Sequence, residues 1–312
     1  MRKIRTITGV LTALALATAT AGCTTASSAS QHPGARGKQQ PRPTQSAAVS
    51  ATATVPAVGV LVDDDPENEG EHWCSASVVD SPRGNVVATA AHCVYEHKRY
   101  AADFSFAPSF SGRGKGTAPY GTWRVTKVEV DPRWRADGDD SEAYDYAFLT
   151  LAPDAKGRSV QEVVGGLAPD WASGPERRVT VFGYPGPDHN PTNRPIMCTT
   201  DTARDEDLAA MIRMECAGFF DGTSGGPWLA DYRAPDDRGR LIGVMSGGDT
   251  DSESTAVLFD AHAKGLYERA AGGRGGPRPP RAPAPPPPGG RPPPPPPPPH
   301  HPPPPRPPRG GP

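Results

Sequence analysis

Hydrophobic and polar positions alternate over short distances in the middle of the chain. Short runs of β-branched and apolar residues recur between clusters of Gly, Pro, Asp and Asn, a pattern typical of strands joined by turns. Only residues Ala261–Ala271 have the pattern of a helix of any length. Many short strands favour an all-β fold of antiparallel sandwiches or barrels with a short C-terminal helix. The predicted strands are Val58–Val62, Val86–Ala90, Trp123–Val130, Ala147–Leu151, Val179–Phe182, Leu241–Met245 and Ala256–Phe259.

The two ends of the chain do not have this pattern. Residues 1–22 combine a basic start with the apolar run Ile7–Ala21, which is typical of an export signal and too short for a comfortable membrane span. The next residue, Cys23, ends a segment (TAGC) that resembles a bacterial lipoprotein box. The sequence therefore predicts an exported protein, either tethered through lipidated Cys23 or secreted after ordinary signal cleavage.

Two low-complexity segments flank the predicted strands. Residues 23–53 are rich in Ser, Thr, Ala, Gln and Pro, which predicts a flexible tether. Of the 41 prolines, 23 fall between Pro277 and Pro312, so residues 272–312 are predicted to be a disordered, extended tail. One folded domain is left, over residues 54–271.

Charge and cysteine content narrow the classes of function. The formal net charge of −2 gives no reason to expect a nucleic-acid partner. The acidic clusters at 63–69 and 137–142 lack EF-hand spacing and are interpreted as solvated loops, so no metal or other cofactor is expected. Apart from Cys23, the chain has Cys74, Cys93, Cys198 and Cys216. Four cysteines without a closely spaced pair favour two disulfides over a zinc site.

Three short segments contain candidate catalytic residues. Ser224 lies in a glycine-rich segment (DGTSGGP), where flexible backbone can turn N–H groups toward an oxyanion. A serine hydroxyl needs a base, and His92 follows a predicted strand in the segment TAAHC. Asp145 leads into a predicted apolar strand, where an unpaired charge is unfavourable, so it is the best candidate to orient the imidazole.

Together these three segments resemble the signature blocks of chymotrypsin-like serine peptidases, in that family's order of His, Asp and Ser. The resemblance covers roughly 55–267 and implies two antiparallel β-barrels with the active site between them. It implies an endopeptidase with the triad His92, Asp145 and Ser224. The N–H groups of Gly222 and Ser224 would form the oxyanion hole. It also implies the disulfide pairs Cys74–Cys93 and Cys198–Cys216.

The resemblance further implies a substrate-binding region. The segment Val244–Gly248 would pair with the substrate backbone, and Gly218 with Ser246, Gly247 and Gly248 would frame the specificity pocket. Gly218 stands where Lys- and Arg-cleaving members have an aspartate. Glu-cleaving bacterial relatives use a pocket histidine that has no clear equivalent near Met245, so a neutral or apolar residue is expected at the cleaved position. Thr223 carries no charge for an inserted ammonium to pair with, so the oxyanion hole is expected to be preformed.

The sequence also allows other functions. A catalytically silent binding or adhesion protein of the cell envelope could use the same scaffold, because fold does not guarantee activity. An α/β-hydrolase is excluded by motif order, since there the serine precedes the histidine. The expected partner is a protein or peptide substrate, and the expected state is a monomer with a possible membrane tether at Cys23.

Overall fold

The computed structural model describes residues 50–51, 55–65, 70–208, 210–233 and 238–272. For residues 50, 51, 139, 140 and 249 only the backbone is described. The predicted signal segment, Cys23, most of the predicted tether and the tail beyond residue 272 lie outside the described residues.

Strands dominate the described chain. The strands are β1 (Ser50–Ala51), β2 (Val58–Asp63), β3 (His72–Val79), β4 (Val86–Thr89), β5 (Tyr95–Glu96), β6 (Arg99–Tyr100), β7 (Phe104–Pro108), β8 (Trp123–Val130), β9 (Ala147–Leu151), β10 (Ala168–Pro169), β11 (Arg178–Gly183), β12 (Ile196–Asp201), β13 (Ala203–Arg204), β14 (Met211–Glu215), β15 (Pro227–Ala230), β16 (Arg240–Thr250) and β17 (Glu253–Leu258). The helices are α1 (Pro132–Asp137), α2 (Val160–Val164) and α3 (Ala261–Ala271), and a 3-10 segment spans Gly138–Tyr144.

The first half of the fold is a closed six-stranded barrel in the order β2-β3-β4-β9-β8-β7. Its strands pair antiparallel, and β9 is buried along its whole length between β4 and β8. The hydrophobic alternation of Trp123–Val130 slips phase between Val125 and Val128, which predicts a bulge. The structure has a register shift between Val125 and Lys127, so this prediction is confirmed.

The second half is an open half-barrel in the order β1-β12-β11-β15-β16-β17-β14-β13, with β10 alongside β16. Its strands pair antiparallel except β10, which pairs parallel with β16. Ser50 and Ala51 fall within the predicted tether, yet they pair with Met197 and Ile196 of β12. Backbone pairing at a sheet edge needs no apolar side chain, so composition gave no signal for it. The prediction of an all-β fold with a short C-terminal helix is confirmed.

Helix α3 packs against the outer side of the closed barrel. Asp260 caps its N-terminus by accepting hydrogen bonds from the backbone N–H groups of His262 and Ala263. Leu266 and Ala270 are buried, and the Thr150 hydroxyl of β9 donates to the Ala270 carbonyl at 2.9 Å. The C-terminal helix is therefore fixed to the barrel that carries two of the candidate catalytic residues.

A buried histidine ties the two halves together. The Nε2 atom of His72, at the start of β3, lies 3.1 Å from Oδ1 of Asn193, whose side-chain amide donates to the Gly112 carbonyl at 3.0 Å. Because Oδ1 can only accept, Nε2 carries the proton. His72 Nδ1 is buried with no hydrogen-bond partner among the described residues. Burial therefore lowers the pKa of His72 below its ordinary value of 6.5.

We expect this histidine to make stability depend on pH. Below pH 6.5 the unfolded chain binds a proton at His72 that the folded chain does not. The free energy of unfolding should therefore decrease as the pH is lowered. The slope from this one group can reach about 1.4 kcal/mol per pH unit. His72→Gln keeps a donor for Asn193 but cannot titrate, so its urea-unfolding free energy should decline less between pH 7 and 5 than the wild type's. Equal declines would contradict this assignment.

Candidate active site

His92 lies just beyond the end of β4, facing the second half of the fold. Ala90 and Ala91 before it are fully buried, and the N–H groups of Val94 and Tyr95 donate to the Ala91 carbonyl, closing a tight turn. The next residue, Cys93, is disulfide-bonded to Cys74 of β3, with their Cα atoms 6.1 Å apart. The turn and the disulfide together fix the position of the His92 imidazole.

Asp145, two residues before β9, is the buried partner of that imidazole. Its Oδ2 lies 2.7 Å from His92 Nδ1, and its Oδ1 accepts the His92 backbone N–H at 2.9 Å. Oδ2 also accepts the hydroxyl of Ser246 at 2.6 Å. Asp145 is only 1% exposed, so these three hydrogen bonds replace the water that a buried carboxylate loses. Since the carboxylate holds the proton of neutral His92 on Nδ1, the basic lone pair is on Nε2.

Ser224 lies in the loop between β14 and β15, next to Ser246 of β16. Its hydroxyl oxygen lies 3.5 Å from the Ser246 carbonyl, while the Ser246 hydroxyl donates to Asp145. Ser246 thus contacts both Ser224 and Asp145. The structure brings His92, Asp145 and Ser224 to one place, between the closed barrel and the half-barrel.

Glycine is required in the loop around Ser224. Gly225 has a φ of +78°, and a Cβ atom there would lie 2.1 Å from the Thr89 hydroxyl and 2.4 Å from the Ser75 carbonyl. Gly222 has a φ of +94°, and its Cβ would lie 2.7 Å from the Tyr184 carbonyl. Both positions need a conformation and a close approach that only glycine allows.

The peptide between Asp221 and Gly222 has a fixed orientation. The Gly186 N–H donates to the Asp221 carbonyl at 2.7 Å. In a trans peptide the N–H points away from the carbonyl of the same unit. The Gly222 N–H is therefore directed away from Gly186.

Two clefts share the lining residues Ser246, Gly247 and Gly248. One, of about 490 Å³, is bounded by Ser224 and Thr223. The other, of about 440 Å³, is bounded by His92 and Asp145. Among the predicted substrate-binding residues, Gly218 lines neither cleft; its N–H donates to the Asp251 carbonyl, and its neighbour Phe219 lines the first.

Sequence reasoning missed the charged side chains of the first cleft. Asp221, Asp251 and Glu253 line it, together with His189, whose ring stacks on Phe220 with centroids 3.9 Å apart. The β16–β17 hairpin brings Asp251 and Glu253 there, since its pairing joins Thr250 to Glu253. Glu253 is paired with Arg213 at 3.0 Å, whereas Asp221 and Asp251 are exposed.

The second disulfide joins Cys198 of β12 to Cys216, the residue after β14, with Cα atoms 6.6 Å apart. Both bonds therefore have the pairing that the family resemblance implied. Each closes a loop of similar size, with sequence separations of 19 and 18, and by chain entropy each contributes about 3 kcal/mol to stability.

The sequence also matches a known protein family. The family model described as Trypsin matches residues 46–263. The chain belongs to the trypsin family. No curated protein matches the chain.

Solved structures share the trypsin-like fold. The protease Anisep from Arthrobacter nicotinovorans superposes with a TM-score of 0.62 at 23% identity, over 72% of this chain and 99% of its own. The thermostable serine protease AL20, from an extremophilic microorganism, gives 0.60 at 24% identity, over 70% and 97%. A Glu endopeptidase gives 0.57 at 17% identity, over 72% and 96%. At these identities the likeness shows the fold alone.

In the part of the chain that the structure describes, the one group of side chains close enough to share a metal ion is Cys74, His92 and Cys93, in which the two cysteines are joined as a disulfide. Within the same residues, no helix combines the length and apolar character needed to cross a membrane.

Proposed function

We propose that this trypsin-family chain is a serine endopeptidase that works through the triad Ser224, His92 and Asp145. The observation that carries the proposal is the position of Asp145. Its carboxylate is bonded to His92 Nδ1 and to the hydroxyl of Ser246, whose carbonyl lies beside the hydroxyl of Ser224. A carboxylate in this position holds the imidazole in the tautomer whose basic nitrogen is Nε2, as a catalytic triad requires.

The proposed chemistry is acyl transfer in two steps. His92 Nε2 takes the proton of Ser224 as Oγ bonds to the peptide carbonyl carbon, and the oxyanion is stabilised by the N–H groups of Gly222 and Ser224. The C–N bond then breaks, and Nε2 returns the proton to the departing amine. Water, activated in the same way, hydrolyses the acyl-enzyme and frees Ser224.

A fluorophosphonate probe tests this function directly. The purified protein should form one covalent adduct, mapped to the Ser224 peptide by mass spectrometry, and should hydrolyse casein. A folded protein that neither reacts nor hydrolyses any peptide would instead be the catalytically silent binding protein that the sequence also allows.

The charges of the first cleft indicate which substrates are disfavoured. Asp221, Asp251 and Glu253 line it, and His189 is the sole described lining residue able to carry positive charge. A carboxylate entering this cleft meets like charge, which is a means of rejecting a substrate. We propose that residues with uncharged side chains are preferred to acidic ones at the cleaved position.

Two peptide substrates that differ only in the residue at the cleaved position test this preference. A fluorogenic peptide with Glu at the cleaved position should be hydrolysed at least about tenfold more slowly than the same peptide with Gln, given the usual size of like-charge penalties. Asp251→Asn should narrow that ratio. The control Asp201→Asn, an exposed residue of β12 outside both clefts, should not. Faster cleavage after Glu than after Gln would contradict the proposal.

We also propose that the protein is exported. The two disulfides suit an oxidising compartment, and the N-terminal segment has the composition of an export signal. The mass of the mature N-terminal peptide tests this: a lipid-modified Cys23 indicates a tethered protein, cleavage without lipid indicates secretion, and an intact Met1 contradicts export.

A further inference from the structure

One buried serine of the closed barrel holds the loop that carries the candidate nucleophile. Ser75 lies in β3 and is fully buried. Its backbone N–H donates to the Ser224 carbonyl at 2.8 Å, and its hydroxyl donates to the Gly222 carbonyl at 2.9 Å. The same hydroxyl oxygen accepts the N–H of Tyr184 at 2.8 Å. A single residue thus fixes three backbone groups of the half-barrel.

These contacts control the orientation of Gly222. Glycine adopts positive and negative φ with similar ease, so the backbone around it can rotate unless it is held. On one side of Gly222 the Asp221 carbonyl is bonded to Gly186, and on the other side the Gly222 carbonyl is bonded to Ser75. Both peptide units that flank Gly222 are therefore fixed, and its N–H keeps one direction.

The residue after Gly222, Thr223, cannot form an ion pair that would hold the Gly222 backbone. Thr223 is uncharged and buried, and its hydroxyl donates to the Phe220 carbonyl at 2.8 Å. The order of this loop therefore depends on neutral hydrogen bonds. Of these, the Ser75 hydroxyl bond is the one that, among the described residues, reaches Gly222 from the closed barrel.

We propose that Ser75 is a positioning residue whose hydroxyl, by holding the Gly222 carbonyl, keeps the Gly222 N–H directed at the oxyanion. The inference rests on the proposed peptidase function. Since an oxyanion donor acts on the transition state, loss of the hydroxyl should lower kcat and leave KM unchanged.

The test replaces Ser75 and a matched serine of the same strand. Ser77 is also fully buried, and its hydroxyl has no hydrogen-bond partner among the described residues. With one fluorogenic peptide, and with active sites counted by fluorophosphonate titration, kcat per titrated site should fall about tenfold in Ser75→Ala. KM should stay within about twofold, and the rate of fluorophosphonate reaction should fall in parallel with kcat. Ser77→Ala should match the wild type in all three.

The possible outcomes separate this inference from the proposed function. If the wild type does not react with the fluorophosphonate, the proposed function is wrong. If it reacts and Ser75→Ala equals it in kcat per titrated site, Ser75 has no positioning role. A smaller titre with unchanged kcat per site also rules out a positioning role, because it shows loss of folded protein alone. Ser75→Gly, which also lacks the hydroxyl, should repeat the Ser75→Ala result, and failure of both variants to fold would overturn the proposal.

Discussion

Replacing Ser224 with alanine should reduce kcat for peptide hydrolysis by about a million-fold and abolish the fluorophosphonate adduct. The magnitude follows from the behaviour of catalytic triads as units, in which removal of the nucleophile or of the base is about as harmful as removal of both. His92→Ala should therefore cause a similar loss. The double variant should lose little more, because the remaining member has no partner to act with.

Folding controls make this result interpretable. Both variants should keep the disulfides Cys74–Cys93 and Cys198–Cys216 and unfold near the wild-type midpoint, since neither side chain belongs to the hydrophobic core. Ser77→Ala should retain full activity. Hydrolysis by Ser224→Ala at more than about one-hundredth of the wild-type rate would show that another residue is the nucleophile.

The predictable part of the fold was the part with short apolar runs bounded by turn residues. Strands such as Ala147–Leu151 are apolar at nearly every buried position, and the predicted helix Ala261–Ala271 coincides with α3. Strand β3 escaped prediction because Ser75 and Ser77 interrupt its apolar pattern, although both are fully buried. Ser75 is satisfied by groups more than 100 residues away, and no local pattern reports such partners.

The same distinction applies to the site. Ser224, His92 and Asp145 each lie in a short motif, so local sequence was enough to propose them. Two carboxylates of the first cleft, Asp251 and Glu253, lie in no motif and reach it because the β16–β17 hairpin turns there. One of the two grounds for the expected cleaved residue, Gly218, is a position that does not line the cleft, whereas the other, Met245, does line it.

Replacing Asp145 with asparagine should lower kcat about ten-thousand-fold while leaving the fold and KM nearly unchanged. The size is that expected when an imidazole is held in the wrong tautomer. An asparagine has one oxygen and one NH2 group. If the NH2 group faces His92 Nδ1, the ring must accept there, and its proton moves to Nε2, which can then no longer take the Ser224 proton. If the amide is flipped, the NH2 group opposes the His92 backbone N–H instead, which is also unfavourable.

The matched control for this variant is another buried carboxylate. Asp131 is 4% exposed and accepts hydrogen bonds from the backbone N–H and the guanidinium of Arg133, which contribute to holding its pKa below the ordinary range. It lines neither active-site cleft. Asp131→Asn should therefore reduce the free energy of unfolding without changing kcat. Asp145→Asn should instead lower kcat and leave the free energy of unfolding nearly unchanged. Equal kcat losses in the two variants would mean that Asp145 matters only as a buried hydrogen-bonded group, and the proposed role in orienting His92 would be wrong.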